Sequence, residues 1–101
     1  EVDVYVAGLG DEALYRGLHL AVNLRREGFR VVAETVGRSL KAQMRTANKL
    51  NAPCVLLQGE EEIGRGTVVC KNMETSEQTE VPLAQVAAWL RRADAPVDSP
   101  A

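Results

Sequence analysis

The chain has 101 residues, of which 46% are hydrophobic and 4% aromatic, and its formal net charge at pH 7 is -2. About 100 residues is the usual size of one domain, and this composition predicts a folded α/β domain and excludes a disordered chain. The small negative charge excludes a general attraction to nucleic acids or anionic membranes, so such a contact would need locally concentrated cations. No apolar run approaches the roughly 20 residues that cross a bilayer, and no signal peptide is visible.

Apolar runs and helical periodicity alternate along the chain in the order βαβαβ, then ββ, then α. Crossover helices of this length predict parallel pairing of the first three strands, and a hairpin then adds antiparallel strands. The predicted fold class is therefore α/β, with a mixed five-stranded sheet between helices in three layers. The predicted strands are residues 2–9, 29–34, 54–58, 67–71 and 78–81, and the predicted helices are residues 11–27, 38–50 and a last helix that begins at Pro82.

The helices are expected to bury one apolar stripe each. The predicted stripes are Leu14, Leu18, Ala21 and Val22 in the first helix, Leu40, Met44, Ala47 and Leu50 in the second, and Leu83, Val86, Ala87 and Leu90 in the last. Residues 93–101 are proline-rich and weakly apolar, so we predict one domain over residues 1–92 and a flexible tail over residues 93–101.

The sequence GLGDEA at residues 8–13 matches the G-x-G-x-x-A fingerprint of a dinucleotide-binding turn, and Glu34 lies near the acidic position of that motif. A pyrophosphate would bind at the start of the first helix, where Asp11 and Glu12 would repel it. We therefore reject a nicotinamide site and interpret the two glycines as a tight strand-to-helix turn. Such a turn lets a flat partner approach the carboxyl edge of the sheet.

Four cations of the second predicted helix, Arg38, Lys41, Arg45 and Lys49, are spaced three, four and four residues apart. At about 100° per residue they fall within a sector of about 80°. No acidic residue of this helix relieves their mutual repulsion. The pattern is that of a solvated helix face or of a ridge that contacts phosphates.

The sequence GEEEIGRG at residues 59–66 places three consecutive carboxylates in a predicted turn. It lacks the ligand types of a transition-metal site and the alternating acids of an EF-hand. The turn is either a soluble connection or a place where one carboxylate accepts hydrogen bonds from an exposed guanine. His19 is predicted to be a surface residue, and no serine stands in a nucleophile motif, so no catalytic site is assembled.

Cys54 and Cys70 have neither C-x-x-C spacing nor neighbouring histidines. We predict two buried, reduced thiols on strands of a cytoplasmic protein, with no disulfide and no metal site. The chain begins at Glu1 without an initiator methionine, and we expect a fragment of a longer protein.

Residues 37–83, GRSLKAQMRTANKLNAPCVLLQGEEEIGRGTVVCKNMETSEQTEVPL, resemble the C-terminal anticodon-binding domain of histidyl-tRNA synthetases. The shared motifs are G-x-x-L-K-x-Q, A-x-K-x-x-A, G-E-x-E-x-x-x-G-T-V and K-x-M-x-T-x-E-Q. The opening VDVYVAGLGDEA and LRREGFRV fit the same family, so the resemblance covers residues 1 to about 92. Asn51 and Ser76 stand where the family commonly has glycine, and Asn72 where it commonly has aspartate.

The resemblance implies the five-stranded mixed sheet of class IIa synthetases and a domain that grips the anticodon stem-loop of tRNA-His. It also implies that ATP and magnesium belong to a separate catalytic domain, through which the parent protein forms a homodimer. We expect no cofactor in the fragment itself, and we expect the fragment to be a monomer.

By the same resemblance, six residues face the anticodon: Leu9, Gly37, Arg38, Ser39, Glu62 and Lys71. The anticodon of tRNA-His is expected to have the sequence guanine-uracil-guanine. This assigns Glu62 to the edge of a guanine and Lys71 to a base acceptor or a phosphate. Phosphate contacts are assigned to Arg38 and Lys41, with Arg45 on the same ridge.

Two other functions are compatible with the resemblance. One is a synthetase-like regulatory subunit that partners ATP phosphoribosyltransferase and binds protein in place of tRNA. The other is the sensor domain of kinases that respond to uncharged tRNA. The basic ridge together with Glu62 and Lys71 favours the synthetase module, because a subunit without RNA contacts need not keep these residues.

Overall fold

The computed structural model describes residues 1–93. Its elements are β1 (Val4–Gly8), α1 (Asp11–Arg26), β2 (Val31–Ala33), α2 (Leu40–Lys49), β3 (Cys54–Gln58), α3 (Glu60–Arg65), β4 (Thr67–Asn72), β5 (Gln78–Pro82), a 3-10 turn (Leu83–Gln85) and α4 (Val86–Ala93). The strands form one sheet in the order β2-β1-β3-β4-β5. β1 pairs in parallel with β2 and with β3, and β4 pairs antiparallel with β3 and with β5. The predicted α/β class and mixed sheet are confirmed.

The sheet separates two apolar cores, and β1 contributes to both because its side chains alternate between the faces. Val4 and Val6 pack with residues of α1 and α4 on one face. Tyr5 and Ala7 pack with Ala47 of α2 on the other. The whole of β1 is buried, as its near-continuous apolar run predicts. In this three-layer arrangement α1 and α4 lie on one face of the sheet and α2 lies on the other.

The predicted stripe of α1 is wrong in part, since Leu18 and Val22 are each 43% exposed. The residues that α1 buries are Ala13, Gly17, Leu20, Ala21 and Leu24. The reason is close packing, because a Cβ added to Gly17 would lie 3.1 Å from Cγ1 of Val6. Small residues let the helix lie close to β1, and a pattern based on hydrophobicity undervalues them.

The acidic segment is a short helix, α3, and the predicted turn over residues 59–66 is therefore wrong. The Oε1 atom of Glu62 accepts a hydrogen bond of 2.7 Å from the backbone N–H of Gly59, which satisfies one unpaired donor at the helix start. Gly66 then ends the helix with a φ of 70°. Three acids in the first turn also complement the positive end of the helix dipole.

Several local predictions are confirmed. Cys54 and Cys70 are buried, and burial raises the pKa of the Cys70 thiol to about 12. Asn51 has a φ of 56°, in the left-handed region that asparagine tolerates, and Ser76 has a φ of 66°. His19 is exposed, and its ring meets the edge of the Tyr15 ring at a centroid distance of 4.7 Å.

Of the predicted tail, only residue 93 belongs to the described residues. Within the described residues, no helix is long and apolar enough to span a membrane.

Candidate nucleic-acid interface

The turn after β1 brings α1 close to the carboxyl edge of the sheet. A Cβ added to Gly8 would lie 3.0 Å from the carbonyl carbon of Ala13, so this position accepts only glycine without a backbone shift. Gly10 has a φ of 95°, which other residues rarely adopt. In the predicted tight turn, Gly10 therefore supplies the positive φ, whereas Gly8 is needed for close approach. Leu9 between them is 43% exposed, and its N–H donates to the carbonyl of Gln58 at 3.2 Å.

Gln43 joins this turn to the start of α2. Its Oε1 accepts from the backbone N–H of Gly8 at 2.9 Å, and its Nε2 donates to the carbonyl of the same residue at 2.9 Å. The Nε2 also donates to the carbonyl of Arg38 at 2.8 Å. The side chain has 0% exposure. Gln43 thus fixes the segment of Gly37, Arg38 and Ser39 beside the end of β1.

A second cluster holds the same segment from the side of β2. The two guanidinium nitrogens Nε and Nη2 of Arg38 lie 2.9 and 2.7 Å from the carboxylate oxygens of Glu34. Tyr5 donates its hydroxyl to Glu34, and Arg38 also donates to Oγ1 of Thr46 at 2.9 Å. The carboxylate of Glu34 is thereby fully engaged by protein donors, which agrees with the rejection of a dinucleotide site.

The ionisation of this cluster follows from those contacts. The hydrogen bonds from Arg38 lower the pKa of the Glu34 carboxyl to about 2, although burial opposes the shift. Burial and the neighbouring Glu34 carboxylate raise the pKa of Tyr5 to about 12. The same carboxylate raises the pKa of Arg38 further above its ordinary value. At neutral pH the cluster is an ion pair with a neutral phenol.

The basic ridge consists of three helical cations and not four. Arg38 precedes α2, whose N-cap is Ser39, and the Ser39 hydroxyl accepts from the N–H of Ala42 at 3.2 Å. The prediction that Arg38 belongs to the helix, without an acid to relieve it, is wrong because Glu34 binds its guanidinium. The ridge is therefore Lys41, Arg45 and Lys49, which are exposed and form no ion pair with a described residue.

Beside α2, the described residues 1–93 leave one part of the sheet uncovered, and we term it the open sheet face. It is formed by alternate residues of β4 and β5, which the register brings opposite each other as Val69 with Glu80 and Lys71 with Gln78. Lys71 also pairs with Val55 of β3, whose side chain lies in the core under α2. The open sheet face therefore continues the surface that α2 covers over β1 and β3.

Two acids that border this surface, Glu62 and Glu80, are engaged within the protein. Glu80 lies 2.7 Å from Nε of Arg65 and also accepts from the hydroxyl of Thr67. The second carboxylate oxygen of Glu62 lies 3.5 Å from Nη2 of Arg65, and the Glu62 side chain is only 17% exposed. Lys71 forms no ion pair with a described residue. The surface thus carries four cations, Lys71 and the three of the ridge, that pair with no described acid, on a chain whose net charge is -2.

The predicted site residues fall into three groups along this side of the molecule. Five of them, Leu9, Gly37, Arg38, Ser39 and Glu62, surround the carboxyl ends of β1 and β3. Lys41 and Arg45 lie on α2, and Lys71 lies on the open sheet face. Glu62 and Lys71 lie at different levels of the sheet. Glu62 follows the end of β3, whereas Lys71 of β4 lies opposite Val55, the second residue of β3.

Sequence reasoning missed three residues of this region. Gln43 is predicted neither as buried nor as a link, although a glutamine beside the apolar positions Leu40, Met44 and Ala47 is a usable signal. Tyr5 gives no such signal, since the sequence shows it only as one residue of a buried strand. Gln78 gains its neighbour Lys71 from the hairpin register alone.

An open sheet face beside a ridge of exposed cations is typical of α/β domains that bind nucleic acids. Residues 3–93 match the anticodon binding domain family. The chain is 44% identical over 94 residues to the histidine–tRNA ligase of Symbiobacterium thermophilum, covering 93% of this chain and 22% of that protein. It is 46% identical over 83 residues to the ligase of Desulfotalea psychrophila, covering 82% of this chain and 19% of that protein.

The crystal structure of apo S. aureus histidyl-tRNA synthetase superposes with a TM-score of 0.83 at 26% identity, covering 89% of this chain and 26% of that one. The chain belongs to the anticodon binding domain family, and the two relatives named above are histidine–tRNA ligases. It spans about a fifth of the length of the relatives that it matches.

Proposed function

We propose that this domain binds the anticodon stem-loop of tRNA-His across the open sheet face, with Lys41, Arg45 and Lys49 of the ridge on the phosphates. In this proposal the parent protein is cytoplasmic, and a catalytic domain outside these 101 residues attaches histidine to the tRNA. That domain uses ATP and magnesium. We assign homodimer contacts to that part and a monomeric state to this chain.

One observation carries the proposal, namely the position of exposed cations beside an uncovered, half-apolar stretch of sheet. Anticodon-loop bases are unstacked enough to lie on such a face, while the backbone follows the cations. The carboxylates of Glu34, Glu62 and Glu80 border this side, and each is engaged by a protein donor. They therefore contribute little repulsion toward a phosphate backbone.

The alternative functions gain no comparable support. A regulatory subunit that binds only protein has no need of three cations on one helix face that pair with no described acid. The relatives described above are named as histidine–tRNA ligases. We therefore retain the synthetase module as the proposed function.

The ridge is tested by a titration of the chain with an RNA hairpin that carries the histidine anticodon, over a series of salt concentrations. We expect micromolar or weaker binding that weakens as salt rises, because phosphate contacts release counterions. Replacing Lys41 and Arg45 together by glutamine should lower the slope of log K against log salt by about 0.7 to 0.9 for each lost contact. The matched control replaces Arg26 and Arg92, two exposed cations on α1 and α4, by glutamine. An equal loss of slope in both double variants would contradict the proposed ridge.

A further inference from the structure

A groove of about 480 Å³ lies beside α1, on the face of the sheet opposite to α2. Glu12, Arg16 and Asn23 line its α1 side, and Leu83 of the 3-10 turn lines the other side. Gln58, the last residue of β3, lies at its base. Pockets of about 300–1,000 Å³ hold small molecules, so a ligand of the size of an amino acid fits this groove. The proposed RNA surface makes no use of it.

Gln58 places a buried hydrogen-bond acceptor in the groove. The residue is 2% exposed, and its Nε2 donates to the carbonyl of Thr67 at 2.9 Å. Because only the nitrogen donates, this bond fixes which end of the carboxamide is the oxygen. No described residue donates to Oε1, and no fully enclosed side-chain oxygen of the described residues lacks a partner. The Oε1 atom is therefore reachable from the groove and is available to a ligand donor.

The side chains around this acceptor suit a flat ring. Leu20 is buried and Leu83 is half-buried, and both present aliphatic surface to the groove. The rings of Tyr15 and His19 lie edge to face, with centroids 4.7 Å apart, and form an aromatic rim. Tyr15 is 64% exposed, so the fold leaves its ring open to a further contact. A third ring gains both aliphatic burial and edge-to-face or offset packing there.

An ion pair of α1 adds one donor and one acceptor to the groove. Oε2 of Glu12 lies 3.0 Å from both Nε and Nη2 of Arg16. Oε1 of Glu12 and Nη1 of Arg16 form no hydrogen bond with a described residue. A ligand ammonium can bind the first atom and a ligand carboxylate the second, without separating the pair. A free amino acid carries both groups on one carbon atom.

The three features together select the chemistry of the ligand. Indole has one N–H for the Gln58 oxygen and no ring acceptor, so it loses no hydrogen bond over Leu20 and Leu83. Imidazole has a second ring nitrogen that would lose its water over the same side chains. The geometry points to a binding site for a free amino acid with an indole side chain. This site is separate from the proposed RNA surface.

The test follows backbone and side-chain amide shifts of the intact chain during a titration with L-tryptophan. A ligand of this size in an open groove should bind with a Kd of about 0.1–1 mM. Saturable shifts are expected in residues 12–23, at Leu83 and in the side-chain amide of Gln58, with no change along α2. Shifts that do not saturate up to about 10 mM, or that saturate elsewhere, overturn the site.

Two analogues of tryptophan separate the contacts. 1-Methyltryptophan lacks the ring N–H and should bind at least about 5-fold more weakly, because Oε1 of Gln58 then has no donor. Tryptamine lacks the carboxylate and should bind more weakly as well, because Nη1 of Arg16 loses its acceptor. Equal affinities for tryptophan and either analogue overturn the proposal.

Arg16→Gln should remove the preference for tryptophan over tryptamine and keep the preference over 1-methyltryptophan. The matched control Arg26→Gln changes another exposed arginine of α1, outside the groove, and should keep both preferences. Both side chains lie at the surface, so the thermal midpoints should stay near that of the wild type.

A preference over tryptamine that persists in Arg16→Gln, or that disappears equally in Arg26→Gln, overturns the amino-acid site. The proposed function stands or fails separately, because the hairpin titration measures binding on the opposite side of the sheet.

Discussion

Gln43→Leu should lower the free energy of unfolding by about 3–5 kcal/mol, the largest effect we expect from one substitution. Leucine fills a similar volume but leaves the N–H and carbonyl of Gly8 and the carbonyl of Arg38 without their partner. Each buried polar group that loses its hydrogen bond costs about 1–3 kcal/mol. Domains are stable by only about 5–15 kcal/mol, so the variant should unfold at a much lower urea concentration than the wild type. Urea unfolding measures the difference.

The control for this substitution is Gln85→Leu. Gln85 is exposed in the 3-10 turn before α4, and the same chemical change there should alter stability by no more than about 0.5 kcal/mol. A loss below about 1 kcal/mol for Gln43→Leu would show that water or a rearranged backbone replaces the three hydrogen bonds. In that case Gln43 would not be the link between β1 and α2.

Glu34→Gln should destabilise the protein by about 3 kcal/mol at pH 7, the second largest expected effect. The substitution leaves the guanidinium of Arg38 without a counter-charge, and breaking a buried pair from one side costs about 3–5 kcal/mol. The lower end applies because Arg38 itself is 40% exposed. Tyr5 also exchanges a carboxylate acceptor for a neutral amide, which weakens a charge-assisted hydrogen bond.

The pH dependence of stability should identify the same pair. Because the pKa of Glu34 falls from 4.5 to about 2 on folding, its contribution is fully present above pH 4.5 and is lost as pH falls toward 2. The pKa of Tyr5 is raised from 10.0 to about 12, so its contribution is lost as pH rises through that range. The difference in stability between the wild type and Glu34→Gln should therefore shrink between pH 4.5 and 2.

Glu80→Gln is the matched control, since Arg65 lowers the pKa of this carboxyl as well but on an exposed surface. Its cost should stay below about 1 kcal/mol. Equal costs for the two substitutions at pH 7, with parallel pH curves, would contradict a structural role for the Glu34 pair.

Local periodicity predicted the strands and the hairpin because these depend on residues close in sequence, and the length of the crossover helices predicted the parallel pairing of the first three strands. The errors have longer-range causes. Glu34 lies only four residues before Arg38, but their pairing depends on the turn after β2 and on Tyr5, which lies 29 residues before Glu34. Gln43 and Gly8 are 35 residues apart. The stripe of α1 was misplaced because its closeness to β1 depends on Gly17 and Val6 together.

The site could be predicted in the same partial way. Helical spacing was sufficient to bring Lys41 and Arg45 together, since both lie on one helix. The pairing of Lys71 with Gln78 on the open sheet face could not be predicted, because these residues become neighbours only through the register of β4 and β5. The role of Glu62 also depended on structure, because a carboxylate that caps a helix and one that faces solvent look alike in sequence.

Chemical-shift mapping of the backbone amides during a titration with the histidine anticodon hairpin tests the proposed surface most directly. We expect the largest shifts in α2 and in the β4–β5 hairpin, with little change along α1 and α4 on the opposite side of the sheet. Saturable shifts that centre on α1 and α4 instead would contradict the account.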